Sequence, residues 1–182
     1  LVEGEIEHGE SLGNQGRIRS GDCQWMTAGS GIIHQEMPRP ARRMFGAQLW
    51  INLPAAEKMC EPRYGDILQE NVPVLRQDGR TVRIVAGAYD GTPGAFEGRY
   101  VKAVYLDVGL DSGVEWTYDC NPDATLFIYT LQGGGRVGPD AGEAVEPRHA
   151  VLTGPGDRFR ITAEADGIRF LLLCGMPLGE PV

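Results

Sequence analysis

Short apolar or alternating runs, each ended by glycine or proline, recur along most of the 182-residue chain. Valine, isoleucine, tyrosine, phenylalanine and threonine dominate these runs, and such residues favour strands. Regularly spaced short strands predict an all-β sandwich or barrel rather than a helical protein. The runs are FGAQLWINLP (45–54), RTVRIVAG (80–87), YVKAVYLDVGL (100–110), ATLFIYTLQGG (124–134), HAVLTGPGD (149–157), RFRITAEADG (158–167) and IRFLLLCG (168–175).

Asp-Gly pairs at the ends of these runs predict turns, at Asp78-Gly79 and at Asp166-Gly167. Aspartate and glycine adopt the positive φ angles that tight hairpin turns require. Each pair therefore predicts a reversal of the chain between two strands.

The segment from Pro54 to Gln77 is polar, contains two further prolines, and lacks the alternating pattern. It is typical of a connector, and we predict one helical turn around Asp66–Glu70. The resulting organisation is a β module over residues 1–67, a linker over 68–76 and a second β module over 77–182.

The net charge of −8 argues against a nucleic-acid surface, which needs clustered lysine and arginine. The four cysteines lie far apart without a CxxC pair, which is typical of reduced thiols. No stretch is long and apolar enough to span a membrane, and the N-terminus LVEGEIEHGE does not resemble a signal peptide. We therefore expect a cytoplasmic protein that binds neither nucleic acid nor membrane directly.

His34 and Glu36 stand two residues apart in GDCQWMTAGSGIIHQEMP (21–38), after a bend that Gly29 and Gly31 permit. On a strand, residues i and i+2 point to the same face, with Gln35 on the opposite face. An imidazole and a carboxylate side by side are two ligands suited to iron or a similar divalent metal. The alternative is an ion pair or hydrogen bond between these two residues without a metal.

We predict an apolar pocket with one polar group next to His34 and Glu36. Its residues lie on the strands predicted before and after this pair. Met26 lies on the preceding strand, and Gln48 and Trp50 lie on the following one. Packing in the core is the alternative for Met26 and Trp50. The other histidines are interpreted as surface or structural residues, with His8 in a loop after the first strand and His149 at a strand start.

Several segments together resemble the pirin family, a branch of the cupin superfamily. They are SGDCQWMTAGSGIIHQEMP (20–38), QLWINLP (48–54), EKMCEPRY (57–64), FIYTLQG (127–133), VGPD (137–140) and CGMPLGEPV (174–182). The resemblance implies a bicupin, with two antiparallel β-barrels of which the N-terminal one holds iron through three histidines and one glutamate. His34 matches the third of these histidines, and Glu36 matches the glutamate.

The chain departs from the family pattern at both ends. The family's first two histidines come from an H-x-H segment that does not occur in these residues, and the family's C-terminal extension is also missing. We therefore expect an incomplete N-terminal barrel that binds iron poorly or not at all, while a full-length parent binds it. Because open sheet edges tend to pair with another chain, we expect either a homodimer or a strained open barrel. The second barrel, as in the family, is expected to hold no metal.

Two functions remain open from the resemblance. One is an iron-dependent oxidoreductase of the quercetin 2,3-dioxygenase type that cleaves a flavonol-like aromatic substrate, with Glu36 as metal ligand and catalytic proton acceptor. The other is a non-catalytic, redox-responsive regulator that binds a protein partner in transcription or metabolism. A metal-free structural bicupin is a third alternative, because fold does not determine function.

Overall fold

The computed structural model describes residues 1–140 and 142–181, and this part of the chain is almost entirely β-structure. Two short 3-10 helices span Ala55–Glu57 and Gln69–Asn71, and the described residues contain no α-helix. The all-β prediction is confirmed. The strands are β1 Glu5–Glu10, β2 Gln15–Arg19, β3 Cys23–Thr27, β4 His34–Pro38, β5 Arg63–Ile67, β6 Val74–Gln77, β7 Arg80–Ala86, β8 Ala88–Tyr89, β9 Thr92–Pro93, β10 Val104–Leu110, β11 Glu115–Asp119, β12 Thr125–Val137, β13 Glu143–Val145, β14 Ala150–Leu152 and β15 Arg158–Gly175.

The chain divides into two compact units between Val72 and Pro73, inside the segment 68–76 interpreted as a linker. The first unit comprises residues 1–72 and the segment that begins at Leu178, and the second comprises Pro73–Pro177. The C-terminal residues thus belong to the first unit, whereas the sequence placed them in the second module. The predicted helical turn at 66–70 forms instead at Gln69–Asn71, because β5 continues to the buried Ile67.

The second unit is built on an eight-stranded sheet with the order β13-β12-β15-β10-β7-β6, to which β11 adds at β15 and β14 at β12. Apolar side chains alternate inward along these strands, as Leu106, Val108 and Leu110 do on β10. The hairpin predicted at Asp78-Gly79 is confirmed between β6 and β7, with φ angles of 49° and 74° at the two residues.

Aromatic side chains fill the centre of the second unit. Trp116 is 1 % exposed and lies within 6 Å of the ring centroids of Tyr89, Tyr118 and Phe170, at 5.9, 5.9 and 5.7 Å. The indole Nε1 donates a hydrogen bond to the Tyr89 hydroxyl at 2.9 Å, which satisfies its polar atom away from water. The interior of this unit is therefore a packed core.

The turn predicted at Asp166-Gly167 is wrong as a chain reversal, because β15 runs through it from Arg158 to Gly175. Gly167 has a φ of +71°, and the facing strand β12 has register shifts between Thr130 and Gly135. Before this point β15 pairs with β11, and after it β15 pairs with β10. The glycine therefore bends one long strand from one neighbour to the next instead of ending it.

The strand predicted at 45–54 is also wrong. Only Phe45 forms a bridge there, to Glu3, and residues 46–54 belong to no strand. Their apolar side chains are largely exposed, with Trp50 at 87 %. An extended run that finds no neighbouring strand has no cross-strand hydrogen bonds, so the residue pattern does not produce a strand.

The first unit contains a three-stranded antiparallel sheet of order β2-β1-β4 and a two-stranded sheet of β3 and β5. Strand β4 lies at the edge of the larger sheet, and all five of its residues are exposed. Within residues 1–72, the buried apolar side chains are few: Ile18, Ile67 and Val72. Nowhere in the described part of the chain is there a helix with the length and apolarity needed to traverse a lipid bilayer.

Candidate metal centre

Strand β4 places His34 and Glu36 on one face of the three-stranded sheet. The register pairs His34 with Glu10 and Glu36 with His8 on β1, while Gln35 pairs with Gly9. Because directly opposed residues of an antiparallel pair share a face, His8, Glu10, His34 and Glu36 all belong to the same face. We call this the histidine face.

The opposite face of the same sheet carries surface ion pairs. Arg17 on β2 lies 3.5 Å from a carboxylate oxygen of Glu5 and 3.3 Å from one of Glu7. Arg39, just after β4, also contacts Glu7 at 2.8 Å. These groups are partly exposed, and ion pairs of this kind contribute little to stability.

The histidine face carries side chains of the types that bind divalent metals, but fewer than a complete metal site needs. An imidazole from His34 and a carboxylate from Glu36 are donors that iron and similar divalent metals accept. Glu10 is occupied elsewhere, since its carboxylate accepts hydrogen bonds from the backbone N–H of Leu12 and of Asn14, the latter at 3.0 Å. Over residues 1–140 and 142–181 there is no cluster of three His, Cys, Asp or Glu side chains that could hold a metal. These residues thus supply part of a coordination shell, and no reaction step through a metal follows from them.

His8 is a residue of this face that the sequence analysis misplaced. It lies in β1, not in a loop, and is only 5 % exposed. Its ring stacks on Tyr64 of β5 with centroids 4.6 Å apart. The alternating pattern of EIEHGE could have indicated a strand with His8 on its inner face. The run contains a single apolar residue, Ile6, so this pattern is weak.

Tyr64 joins His8 to the two-stranded sheet through its hydroxyl. Nε2 of His8 lies 2.5 Å from this hydroxyl, and the side-chain amide of Gln24 donates to it at 2.6 Å. The hydroxyl in turn donates to a carboxylate oxygen of Asp66. We call His8, Tyr64, Asp66 and Gln24 the polar layer. Burial, followed by the hydrogen bond to Asp66, raises the pKa of Tyr64 well above its ordinary value, so the phenol keeps its proton.

The three residues assigned to a substrate pocket lie in different surroundings. Met26 on β3 is half-buried and directly opposes Tyr64 on β5, so it shares a face with the polar layer. Gln48 and Trp50 are exposed and lie outside any strand, which corrects their placement on a strand following β4. His149 likewise lies just before β14 and is exposed.

Comparison with known proteins identifies the family. Residues 1–51 match the Pirin family, and residues 105–182 match the Pirin C-terminal cupin domain. The whole chain aligns with human Pirin at 38 % identity and with a pirin-like protein of Caulobacter vibrioides at 40 % identity. The chain belongs to the pirin family.

The chain spans 63 % of the length of human Pirin and 66 % of the Caulobacter pirin-like protein. A crystal structure of quercetin 2,3-dioxygenase from Acinetobacter baumannii superimposes with a TM-score of 0.86 at 32 % identity. That alignment covers 99 % of this chain and 64 % of the other. The pirin chain therefore has the cupin fold of its relatives and a structural similarity to a quercetin 2,3-dioxygenase.

Proposed function

We propose that this pirin is an iron-dependent dioxygenase of the quercetinase type, with its metal site in the N-terminal unit. The observation that carries the proposal is the placement of His34 and Glu36 together on the histidine face. The similarity to the Acinetobacter quercetin 2,3-dioxygenase supports a flavonol-like substrate.

In this proposal His34 donates an imidazole nitrogen and Glu36 donates a carboxylate oxygen. Iron, when bound, supplies the Lewis-acid and redox chemistry that an aromatic ring cleavage with oxygen requires. A carboxylate has two oxygens, so Glu36 has an acceptor left for the proton of a substrate hydroxyl. Its position on an exposed edge strand leaves it accessible to a ligand.

We also keep Met26, Gln48 and Trp50 as candidate substrate contacts in this proposal, although each lies in different surroundings. Met26 shares a face with Tyr64 and provides an adaptable apolar contact. Trp50 is 87 % exposed, which leaves its ring free to stack on a planar aromatic ligand. Gln48 is exposed as well and provides an amide for a hydroxyl of the ligand.

The test uses the protein in the longest form that its gene encodes, loaded with ferrous iron without oxygen. Quercetin absorbance is then followed after oxygen is admitted. We expect turnover in the wild type and loss of turnover, by about 100-fold or more, in Glu36→Ala and in His34→Ala, because each removes a metal donor. Iron content is measured for every variant.

The matched control is Gln35→Ala, which changes the residue between the two donors on the opposite face of β4. It is equally exposed, so it should keep turnover and iron content within about twofold. Turnover that persists in Glu36→Ala would contradict the proposed role of this residue. A wild type that holds iron stoichiometrically but leaves quercetin unchanged would contradict the dioxygenase.

A redox-responsive regulator is the second candidate, and the exposure of β4 favours it. The donors lie on a surface strand, with Ile33 just before it at 80 % exposure and Met37 within it at 57 %. Exposed apolar groups of this kind suit a protein partner. This alternative predicts iron loading without turnover, together with different hydrogen exchange of β4 amides in the ferrous and ferric forms. The homodimer expected from the sequence stays a prediction.

A further inference from the structure

The number of hydrogens available in the polar layer restricts which atoms can act as donors. The Tyr64 hydroxyl has three neighbours, Nε2 of His8, the carboxylate of Asp66 and the amide of Gln24, but it has one hydrogen to donate. The hydroxyl donates this hydrogen to a carboxylate oxygen of Asp66. The Tyr64 oxygen then accepts from Gln24 and from His8.

It follows that Nε2 of His8 must carry a hydrogen. In a neutral imidazole the other nitrogen, Nδ1, then holds the lone pair and is the acceptor. The layer thus selects one tautomer of a buried histidine, as hydrogen-bond partners commonly do.

The backbone of β2 lies beside the His8 ring. Gly16 on β2 is the register partner of His8 on the side away from β4. A Cβ at position 16 would lie 3.4 Å from Nε2 of His8 and 3.7 Å from a carboxylate oxygen of Asp66. These are ordinary van der Waals distances, so the β2 backbone at Gly16 lies close beside the ring.

His8 and Glu36 are direct cross-strand partners on the histidine face. We propose that the polar layer positions Glu36: Tyr64 and Asp66 hold His8 in the tautomer with hydrogen on Nε2, and this fixed ring sets the surroundings of the neighbouring carboxylate. His8 and Tyr64 are positioning residues in this inference. It rests on the proposed function of Glu36 and adds residues that the ligand set does not include.

The first test is Tyr64→Phe, which keeps the stacked ring and removes the hydroxyl. In the wild type, long-range ¹⁵N–¹H NMR should show His8 as the tautomer with hydrogen on Nε2. In Tyr64→Phe we expect a mixed tautomer, an iron affinity at least tenfold lower, and a kcat about tenfold lower with KM within twofold.

The control is Tyr89→Phe, which removes a hydroxyl that accepts a hydrogen bond from Trp116 in the second unit. It should leave the His8 spectrum, iron affinity and kcat unchanged. A wild-type His8 with hydrogen on Nδ1 alone would overturn the inference, and so would a Tyr64→Phe protein with wild-type iron affinity.

The second test asks which nitrogen of His8 matters. Glutamine places its amide nitrogen near the position of Nε2, whereas asparagine places its amide nitrogen near that of Nδ1. We expect His8→Gln to keep iron affinity within about threefold and His8→Asn to lose at least tenfold. Equal losses in both variants would overturn the tautomer argument.

The iron and NMR measurements do not depend on quercetin. If the wild type fails to turn over quercetin, the dioxygenase proposal fails, and these two measurements still decide whether the polar layer controls the metal-binding face. Circular dichroism of each variant, compared with the wild type, shows whether a loss comes from unfolding.

Discussion

Asp107 illustrates how a single residue can matter for stability without any part in the site. It is 6 % exposed on β10, and its carboxylate accepts hydrogen bonds from Arg83 at 3.0 Å and from Arg169 at 2.9 and 2.8 Å. The hydrogen bond to Asp107 raises the pKa of Arg169 further above its ordinary value. A buried charge needs such partners because it has lost its water.

We expect Asp107→Asn to lower the free energy of unfolding by about 2–4 kcal/mol, since it leaves two partly buried arginines without this counter-charge. Urea unfolding followed by fluorescence measures the change. Asp119→Asn is the control, because Asp119 forms an equally direct pair with Arg158 but on the surface. It should change stability much less. Equal losses in the two variants would show that burial is not the cause.

At the scale of elements, the long strands β12 and β15 depend on glycines where they bend past each other. Gly133 has a φ of +66°, and Gly167 has a φ of +71°. A Cβ at position 133 would overlap the carbonyl oxygen of Gly167. At this bend β15 changes its pairing partner from β11 to β10. Position 133 of the facing strand therefore needs a residue without a side chain.

Gly133→Ala should lower the free energy of unfolding by about 2–3 kcal/mol, through the left-handed backbone and the overlap. Gly154→Ala is the matched control, because Gly154 lies in a loop with no atom near its Cβ position and without a positive φ. Thermal unfolding of both variants measures the difference. If Gly133→Ala has the same unfolding temperature as the wild type, then the bend does not require a glycine at this position.

At the scale of the whole molecule, the two units differ in how much apolar surface they bury. The large buried cluster lies in the second unit and includes Trp116, Phe170, Ile128 and Leu172. The first unit buries few apolar side chains, and one of its buried residues is the polar His8. Hydrophobic burial is the main favourable contribution to folding, so the second unit should be the more stable one.

Native-state hydrogen exchange should therefore show the slowest amides in β10, β12 and β15, and much faster exchange in β1 and β4. We expect protection factors at least about 100-fold higher in the second unit, corresponding to a difference of about 3 kcal/mol in opening free energy. Rates measured at two pH values check that exchange follows the EX2 regime, in which the protection factor gives the opening free energy. Equal protection in β4 and β15 would contradict this account.

Alternation along the chain was enough to predict the all-β class, the hairpin at Asp78-Gly79 and the candidate pair at His34 and Glu36. These features depend on neighbouring residues, because φ preferences and the two-residue repeat of a strand are local properties. Sequence similarity to the pirin family added the cupin fold, which no local pattern could specify.

The tertiary structure decided the features that depend on which strands meet. It left 46–54 without a neighbouring strand, carried β15 through Asp166-Gly167, and buried His8 against Tyr64, which lies 56 residues away. Each outcome depends on contacts between segments distant in sequence, and the residues of one segment do not record which partner it finds. That is why the sequence by itself determined the all-β class and the shared face of His34 and Glu36, while the polar layer beside them was visible only in the folded chain.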